Sequence, residues 1–364
     1  MAITRAHPGI EKIRPHMVGV AQGHVPPASI LLNSNESVFG ASPYAVAAAR
    51  AAAGAMERYV ENVDTILAPA IGERYGLPVG QITCGQGSDD LLARLVRGYL
   101  GPGGALMRSA NGYLKVPNYA HANNGDVIHV PDNDFKPSVT NMIAAMTEQT
   151  RIVYLANPEN PAGTYLSGTE VRALHAAMPA DALMVLDCAY EDYVDAADYE
   201  PGANLVAEAD NVVMCRTFSK IHGLAGARVG WLYGPADVVD TVKRLALTFP
   251  IATPSLAAAL AALQDRDHTE FVRAENMRLR NWLVAELDTL GLGVIPSQTN
   301  FVLIHMPDRD RSAEQLDNAL RQKGVALRRM ASPAYRDYIR ISIGFKHELR
   351  HVLDLIADFL AGRL

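Results

Sequence analysis

The sequence has little that would tie it to a membrane, to nucleic acid or to an oxidising compartment. It contains only three cysteines, Cys84, Cys188 and Cys215. They show neither CxxC nor metal-finger spacing, and an odd number does not suggest a secreted disulfide framework. All three read as reduced and mostly buried. No apolar stretch reaches spanning length without charges or prolines, and the opening MAITRAHPGIEKIRPHMVGV lacks the apolar core of a signal peptide. A cytoplasmic location is the expectation. The formal net charge of -6 is mild and the Lys and Arg residues are scattered, so no footprint for nucleic acid or an anionic membrane is present. Small molecules are therefore the expected partners. Internal repeats, low-complexity tracts and flexible linkers are absent as well.

What is present is a chain of 364 residues, 49% hydrophobic, enough to bury a substantial core and too long for one simple domain. Its middle alternates short β-rich runs with amphipathic helical patterns, which argues for βαβ units and a largely parallel sheet. Ile152 to Leu155, Leu183 to Leu186 and Val212 to Cys215 are the clearest strands. Each runs into Asn, Asp, Ser, Gly or Pro, and open α/β sheets build ligand sites beyond the carboxyl ends of their strands. After Gly85-Gln86-Gly87, Ser88 is placed to cap a helix carrying Leu91, Leu92, Leu95, Val96 and Tyr99 at helical spacing. Ser312 to Gly324 reads as a capped helix, Tyr338 to Ile343 as a strand and His347 to Leu360 as a terminal helix. This pattern predicts a large domain over 45–250 and a smaller one from 1–44 with 251–364.

The most informative segment is Thr217-Phe218-Ser219-Lys220-Ile221-His222-Gly223-Leu224-Ala225-Gly226-Ala227-Arg228-Val229-Gly230-Trp231. A lysine just after a strand can form an imine with an aldehyde, while hydroxyls and a guanidinium bind a phosphate dianion. Gly87-Ser88-Asp89 adds a second anion-binding feature, because free backbone N–H groups and the helix dipole favour a negative group. The Asp89 carboxylate opposes that charge, so the amides rather than its side chain should matter. Asp187 ends a hydrophobic strand, a costly place for a carboxylate unless a cation or donors meet it.

The Lys220 segment resembles the S-K-x-x-G-L-A-G-x-R-x-G signature of the fold-type I aminotransferases, in the version typical of the histidinol-phosphate aminotransferase family. Matches run in order from about Leu31 to Gly344. The resemblance implies an α/β fold with an aspartate-aminotransferase-like large domain, a mostly parallel sheet and a smaller α/β domain. It also implies pyridoxal 5′-phosphate as cofactor, bound covalently by Lys220. By the same resemblance Asp187 pairs with the pyridine nitrogen, and Tyr190 and Asn160 lie at the phenolic oxygen. Gly87, Ser88, Asp89, Thr217, Ser219 and Arg228 form the phosphate cup, and Tyr113 stacks on the ring. Tyr59 is matched to a tyrosine that crosses to the neighbouring subunit's phosphate, which implies a homodimer. Around Tyr113 the sequence departs from the usual Pro-Thr-aromatic pattern.

Tyr338 to Gly344 alternates cleanly, with isoleucines 339, 341 and 343 on one face and Arg340 on the other. A cation on a half-buried strand needs an anionic partner, and a guanidinium matches a carboxylate bidentately. By similarity Arg340 holds the substrate carboxylate or its equivalent. His347-Glu348-Leu349-Arg350-His351 also fits a zinc-protease pattern. Those histidines, however, share the polar side of an amphipathic helix, and no metal site is expected.

The resemblance implies transamination between an amino donor and a 2-oxo acid such as 2-oxoglutarate. Arg328 stands where the family places a phosphate-binding arginine, which favours histidinol phosphate. His16, where the family usually has a substrate-facing tyrosine, and Asn35-Glu36-Ser37, which lacks the usual Asn-Pro pair, leave room for an aromatic amino acid. A decarboxylase of the threonine-phosphate type would share Lys220, Asp187 and Arg228.

Overall fold

The computed structural model describes residues 6–13, 29–306, 309–330 and 332–364. The first strand, β1 (Ile30–Leu31), precedes the seven of the large sheet: β2 (Ile82–Gly85), β3 (Ala105–Ser109), β4 (Asp126–Val130), β5 (Thr150–Ala156), β6 (Leu183–Asp187), β7 (Val212–Thr217) and β8 (Gly230–Tyr233). Four more follow: β9 (Val294–Ile295), β10 (Phe301–His305), β11 (Val325–Ala326) and β12 (Tyr338–Ser342). The large sheet has the order β2-β8-β7-β6-β5-β3-β4. Only β8 runs antiparallel to its neighbours.

Strands β5, β6 and β7 read as continuous apolar runs because helices cover both faces of the sheet. Val153, Leu155, Met184, Leu186 and Met214 pack on one side with residues of the helices Val63–Tyr75 and Thr253–Gln264. Their alternating neighbours Ile152, Tyr154, Leu183, Val185, Val213 and Cys215 pack on the other with the helices Ser88–Tyr99 and Ala236–Arg244. The three cysteines are free and buried. Because β2, β5, β6 and β7 point the same way, Gly85, Ala156, Asp187 and Thr217 all reach one edge of the sheet.

A second hydrophobic cluster joins Leu32 to Leu279, Leu283, Val302, Ile304, Leu316, Ile339, Ile341 and Ile356. It is built on the sheet β12-β10-β9 and the parallel pair β1-β11. Ser312 begins the helix Ala313–Gln322 with a capping box to Gln315, as its sequence predicts. The last helix, Lys346–Leu360, turns Leu349, Val352 and Ile356 inward and leaves His347 and His351 exposed. Among the described residues no helix is long and apolar enough to cross a membrane.

Candidate active site

The carboxyl edge of the large sheet gathers most of the residues singled out above. Lys220 follows β7 after a two-residue turn, and its Nζ lies 3.2 Å from the carbonyl of Asn35 and 3.4 Å from that of Ser34. The same nitrogen stands 5.7 Å from the centre of the Tyr190 ring.

Beside it the residues of the anion cup meet. Thr217 Oγ1 accepts from the Ser219 N–H at 3.1 Å and donates to Ser219 Oγ at 2.9 Å. Arg228 Nη1 donates to Ser219 Oγ at 3.2 Å. Arg228 adopts a left-handed backbone, φ 55°, uncommon for a side chain of this size and a mark of a position held by its surroundings. That turn lays its guanidinium against Gly87, where an added Cβ would stand 2.5 Å from Nη2. Gly230 is equally constrained, since a Cβ there would meet the backbone of Gly87 and Ser88 at 2.5 and 2.6 Å. Only hydrogen at both positions allows the start of the helix Ser88–Tyr99 to close on Arg228. Ser88 is not the cap, however. Gly87 holds that position at φ 84° with no side-chain cap bond, and Ser88 is the first helical residue. The correction follows from the same crowding, because the chain must turn through positive φ one residue before the helix begins. The first-turn amides have no intrahelical partner, and the Arg228 guanidinium lies beside them against Gly87.

Asp187 closes β6 and is 7% exposed. Tyr154 donates to its Oδ2 at 2.8 Å and the Ala189 N–H to its Oδ1 at 3.2 Å. Burial lifts the carboxyl to about 6, aided by the Asp89 carboxylate and opposed by those donors and Lys220. Tyr190 places its hydroxyl 2.9 Å from Asn35 Nδ2 and 3.4 Å from Asn160 Nδ2. Arg340 donates from Nη1 to Asn160 Oδ1 at 2.7 Å and from Nη2 to the Asn33 carbonyl at 3.2 Å. It is buried over the Phe301 ring, and its Nε has no partner among the described residues. Burial lowers its pKa to about 10. Arg328 is joined to it by paired backbone hydrogen bonds of 3.0 and 2.9 Å.

Asp89 does more than its charge suggested. Its Oδ1 accepts from the hydroxyls of Tyr113, at 3.1 Å, and Tyr119, at 2.8 Å. Tyr113 is therefore anchored by its hydroxyl to the start of the same helix. Tyr59 lies apart: it is 75% exposed and stacks on Phe249 at 4.0 Å. His16 lies outside the described residues. Tyr154, Tyr119, Asn33 and Asn35 were not singled out from the sequence as site residues. Tyr154 sits in an apolar strand segment, Tyr119 lies in a mixed segment that no motif marks, and the two asparagines reach the site through contacts far apart in the chain.

This constellation has known relatives. A model of the class I and II aminotransferases matches residues 27–356, and the chain belongs to that family of pyridoxal-5′-phosphate-dependent enzymes. Within it, the chain falls among the histidinol-phosphate aminotransferases. Those of Rhodopseudomonas palustris strain BisB18 and Paramagnetospirillum magneticum strain AMB-1 are 40% and 41% identical to it, over 98% and 100% of both chains. The crystal structure of the histidinol-phosphate aminotransferase from Sinorhizobium meliloti, in complex with pyridoxal-5′-phosphate, superposes with a TM-score of 0.91. It is 27% identical, over 100% of this chain and 99% of that one. Aspartate aminotransferase from Thermus thermophilus, at 22% identity over 92% of each chain, shares the fold with a TM-score of 0.80.

The residues present fit the cofactor. A buried carboxylate met only by neutral donors suits a pyridinium nitrogen, and a glycine-lined helix start beside a guanidinium suits a phosphate. The Lys220 amine is close enough to Asp187 to oppose the lift of its carboxyl.

Proposed function

We propose that the chain transfers the amino group of histidinol phosphate to a 2-oxo acid such as 2-oxoglutarate. The observation that carries this reading is the pairing of Arg328 with Arg340. Residues directly opposite on antiparallel backbones share a face, and like charges so placed oppose folding. The guanidinium of Arg340 meets neutral acceptors, Asn160 Oδ1 and the Asn33 carbonyl, and the charge of Arg328 adds to burial in lowering its pKa. A substrate bringing a phosphate dianion, or the second carboxylate of a 2-oxo diacid, would relieve both. The relatives named for histidinol phosphate support the same choice.

Pyridoxal 5′-phosphate, when bound, supplies the aldehyde that takes up the amine and the ring that accepts electrons from the substrate Cα. Lys220 would hold its C4′ carbon, Asp187 its ring nitrogen, Tyr190 and Asn160 its phenolic oxygen, and Tyr113 its face. Its phosphate falls to the amides of Gly87, Ser88 and Asp89 together with Thr217, Ser219 and Arg228. The free Lys220 amine would act as base and then acid, carrying the substrate Cα proton. Arg340, steadied by Asn160 and the Asn33 carbonyl, fixes the substrate's anionic end so that the Cα–H bond is presented to Lys220. We assign Arg328 to the substrate phosphate.

The test is a half-reaction screen read by cofactor absorbance. Histidinol phosphate should convert the enzyme to its amine form faster than phenylalanine or unphosphorylated histidinol does. Conversion by aromatic amino acids alone would overturn the substrate, and carbon dioxide release without conversion would overturn transamination. Arg328→Ala should lower kcat/KM for histidinol phosphate by about 10- to 100-fold while sparing unphosphorylated donors. An equal loss for all donors would mean that Arg328 serves the fold.

A further inference from the structure

Asn35 has no role in the assignments above, yet it touches both ends of the site. Its carbonyl faces Lys220 Nζ, and its side chain bonds Tyr190. Its backbone N–H bonds Ser342, two residues beyond Arg340 on β12. It is 2% exposed and held at φ 54°, a left-handed conformation that asparagine tolerates better than most residues.

In the structure the hydrogens of this cluster run in one order. The Asn35 N–H donates to Ser342 Oγ at 2.9 Å, and the Ser342 hydroxyl donates in turn to Asn35 Oδ1 at 3.2 Å. The amide nitrogen of Asn35 is thereby turned to Tyr190. Asn160 is oriented in the same manner, because Arg340 can only donate and takes its Oδ1, leaving Nδ2 toward Tyr190. Two amide donors thus point at one phenolic oxygen. A phenol has a single hydrogen and two acceptor sites, so the Tyr190 hydrogen is left to be given away.

We propose that Asn35 is a positioning residue that makes Tyr190 a hydrogen-bond donor to the cofactor's phenolic oxygen and so sets the pH at which the bound cofactor titrates. Donation to an oxygen that becomes negative favours the deprotonated chromophore. Ser342 holds Asn35 in this orientation and ties it to the strand that carries Arg340. The inference rests on pyridoxal phosphate binding as proposed above.

The experiment is a pH titration of the visible absorbance of the holoenzyme. Asn35→Gly keeps the positive φ, adds no charge and removes the amide. Its midpoint should move up by about half a unit to one unit, and that of Tyr190→Phe by about one to two units. In the Tyr190→Phe background Asn35→Gly should add nothing, since its target is gone. An unchanged midpoint in Asn35→Gly overturns the proposal, as does a full shift in the Tyr190→Phe background. If Asn35→Gly does not fold, the same two outcomes are read on Ser342→Ala, which removes the hydroxyl that orients the amide. A wild-type chain that binds no pyridoxal phosphate gives no titration at all, and then it is the functional reading that fails.

Discussion

Asp187 burdens the folded apoprotein in a pH-dependent way. Its carboxyl has an ordinary value of 3.8 and is lifted to about 6 in the fold, chiefly by burial. The folded state therefore holds a proton over a window in which the unfolded chain has lost it. Stability falls as pH rises from about 4 to about 6, by roughly 2 to 3 kcal/mol, and stays reduced above that window. Asn at this position keeps an oxygen for Tyr154 and carries no charge. Apo Asp187→Asn should thus be the more stable protein at pH 7.5 by roughly 2 to 3 kcal/mol, and no more stable than wild type below pH 4. Urea unfolding at the two pH values measures this. A variant equally stable, or less stable, at pH 7.5 would show that the donors around Asp187 already offset its burial. The same substitution should weaken cofactor retention, because Asn offers a pyridinium no charge.

At the scale of elements, the anion cup depends on how closely β8 approaches the start of the helix Ser88–Tyr99. Gly230 is the first residue of β8 and pairs with both Gly85 and Thr217. Its missing Cβ is what admits the Gly87 and Ser88 backbone. Gly230→Ala should push the helix start away from Arg228 and lower affinity for pyridoxal phosphate by at least about tenfold, measured by fluorescence titration of the apoprotein. Unchanged affinity would place the phosphate elsewhere. These same elements show what sequence reading reaches. Strands β5, β6 and β7 were legible because strands covered on both faces are unbroken apolar runs ending in polar residues. The capped helix after Ser312 and the alternation around Arg340 were legible for equally local reasons. Ser88 was misread as a cap because the crowding that moves the cap to Gly87 comes from Arg228 and Gly230, far along the chain. Asn35 stands out in the sequence only for the missing Asn-Pro pair, and its contacts at the site are hidden for a similar reason: its partners Tyr190 and Ser342 are 155 and 307 residues away. Lys220, Asp187 and Arg228 stood out because their chemistry needs particular residue types at particular places beside a strand end.

For the whole molecule, the position of Tyr59 bears on assembly. Its ring stacks on Phe249, and the Thr253 hydroxyl donates to the Arg58 carbonyl at 3.3 Å, so this segment is held against the chain while its surface stays open. Tyr44, Met56 and Leu247 are also exposed, at 71%, 67% and 58%. Apolar side chains exposed in such number suit contact with a second copy. We propose a homodimer in which Tyr59 of each subunit serves the other's anion cup, and complementation tests this directly. Lys220→Ala cannot hold the cofactor covalently, and Tyr59→Ala cannot supply the hydroxyl, so each variant alone should be impaired at both of its sites. When the two are unfolded together in equal amounts and refolded, half of the dimers should be mixed. In a mixed dimer the subunit with Lys220 intact receives Tyr59 from its partner, while the other site carries both defects. About a quarter of all sites should then be complete, and affinity for pyridoxal phosphate at those sites should return to the wild-type value. If Tyr59 acted within its own subunit, mixing would create no complete site, and the refolded sample would bind as the average of its two parents.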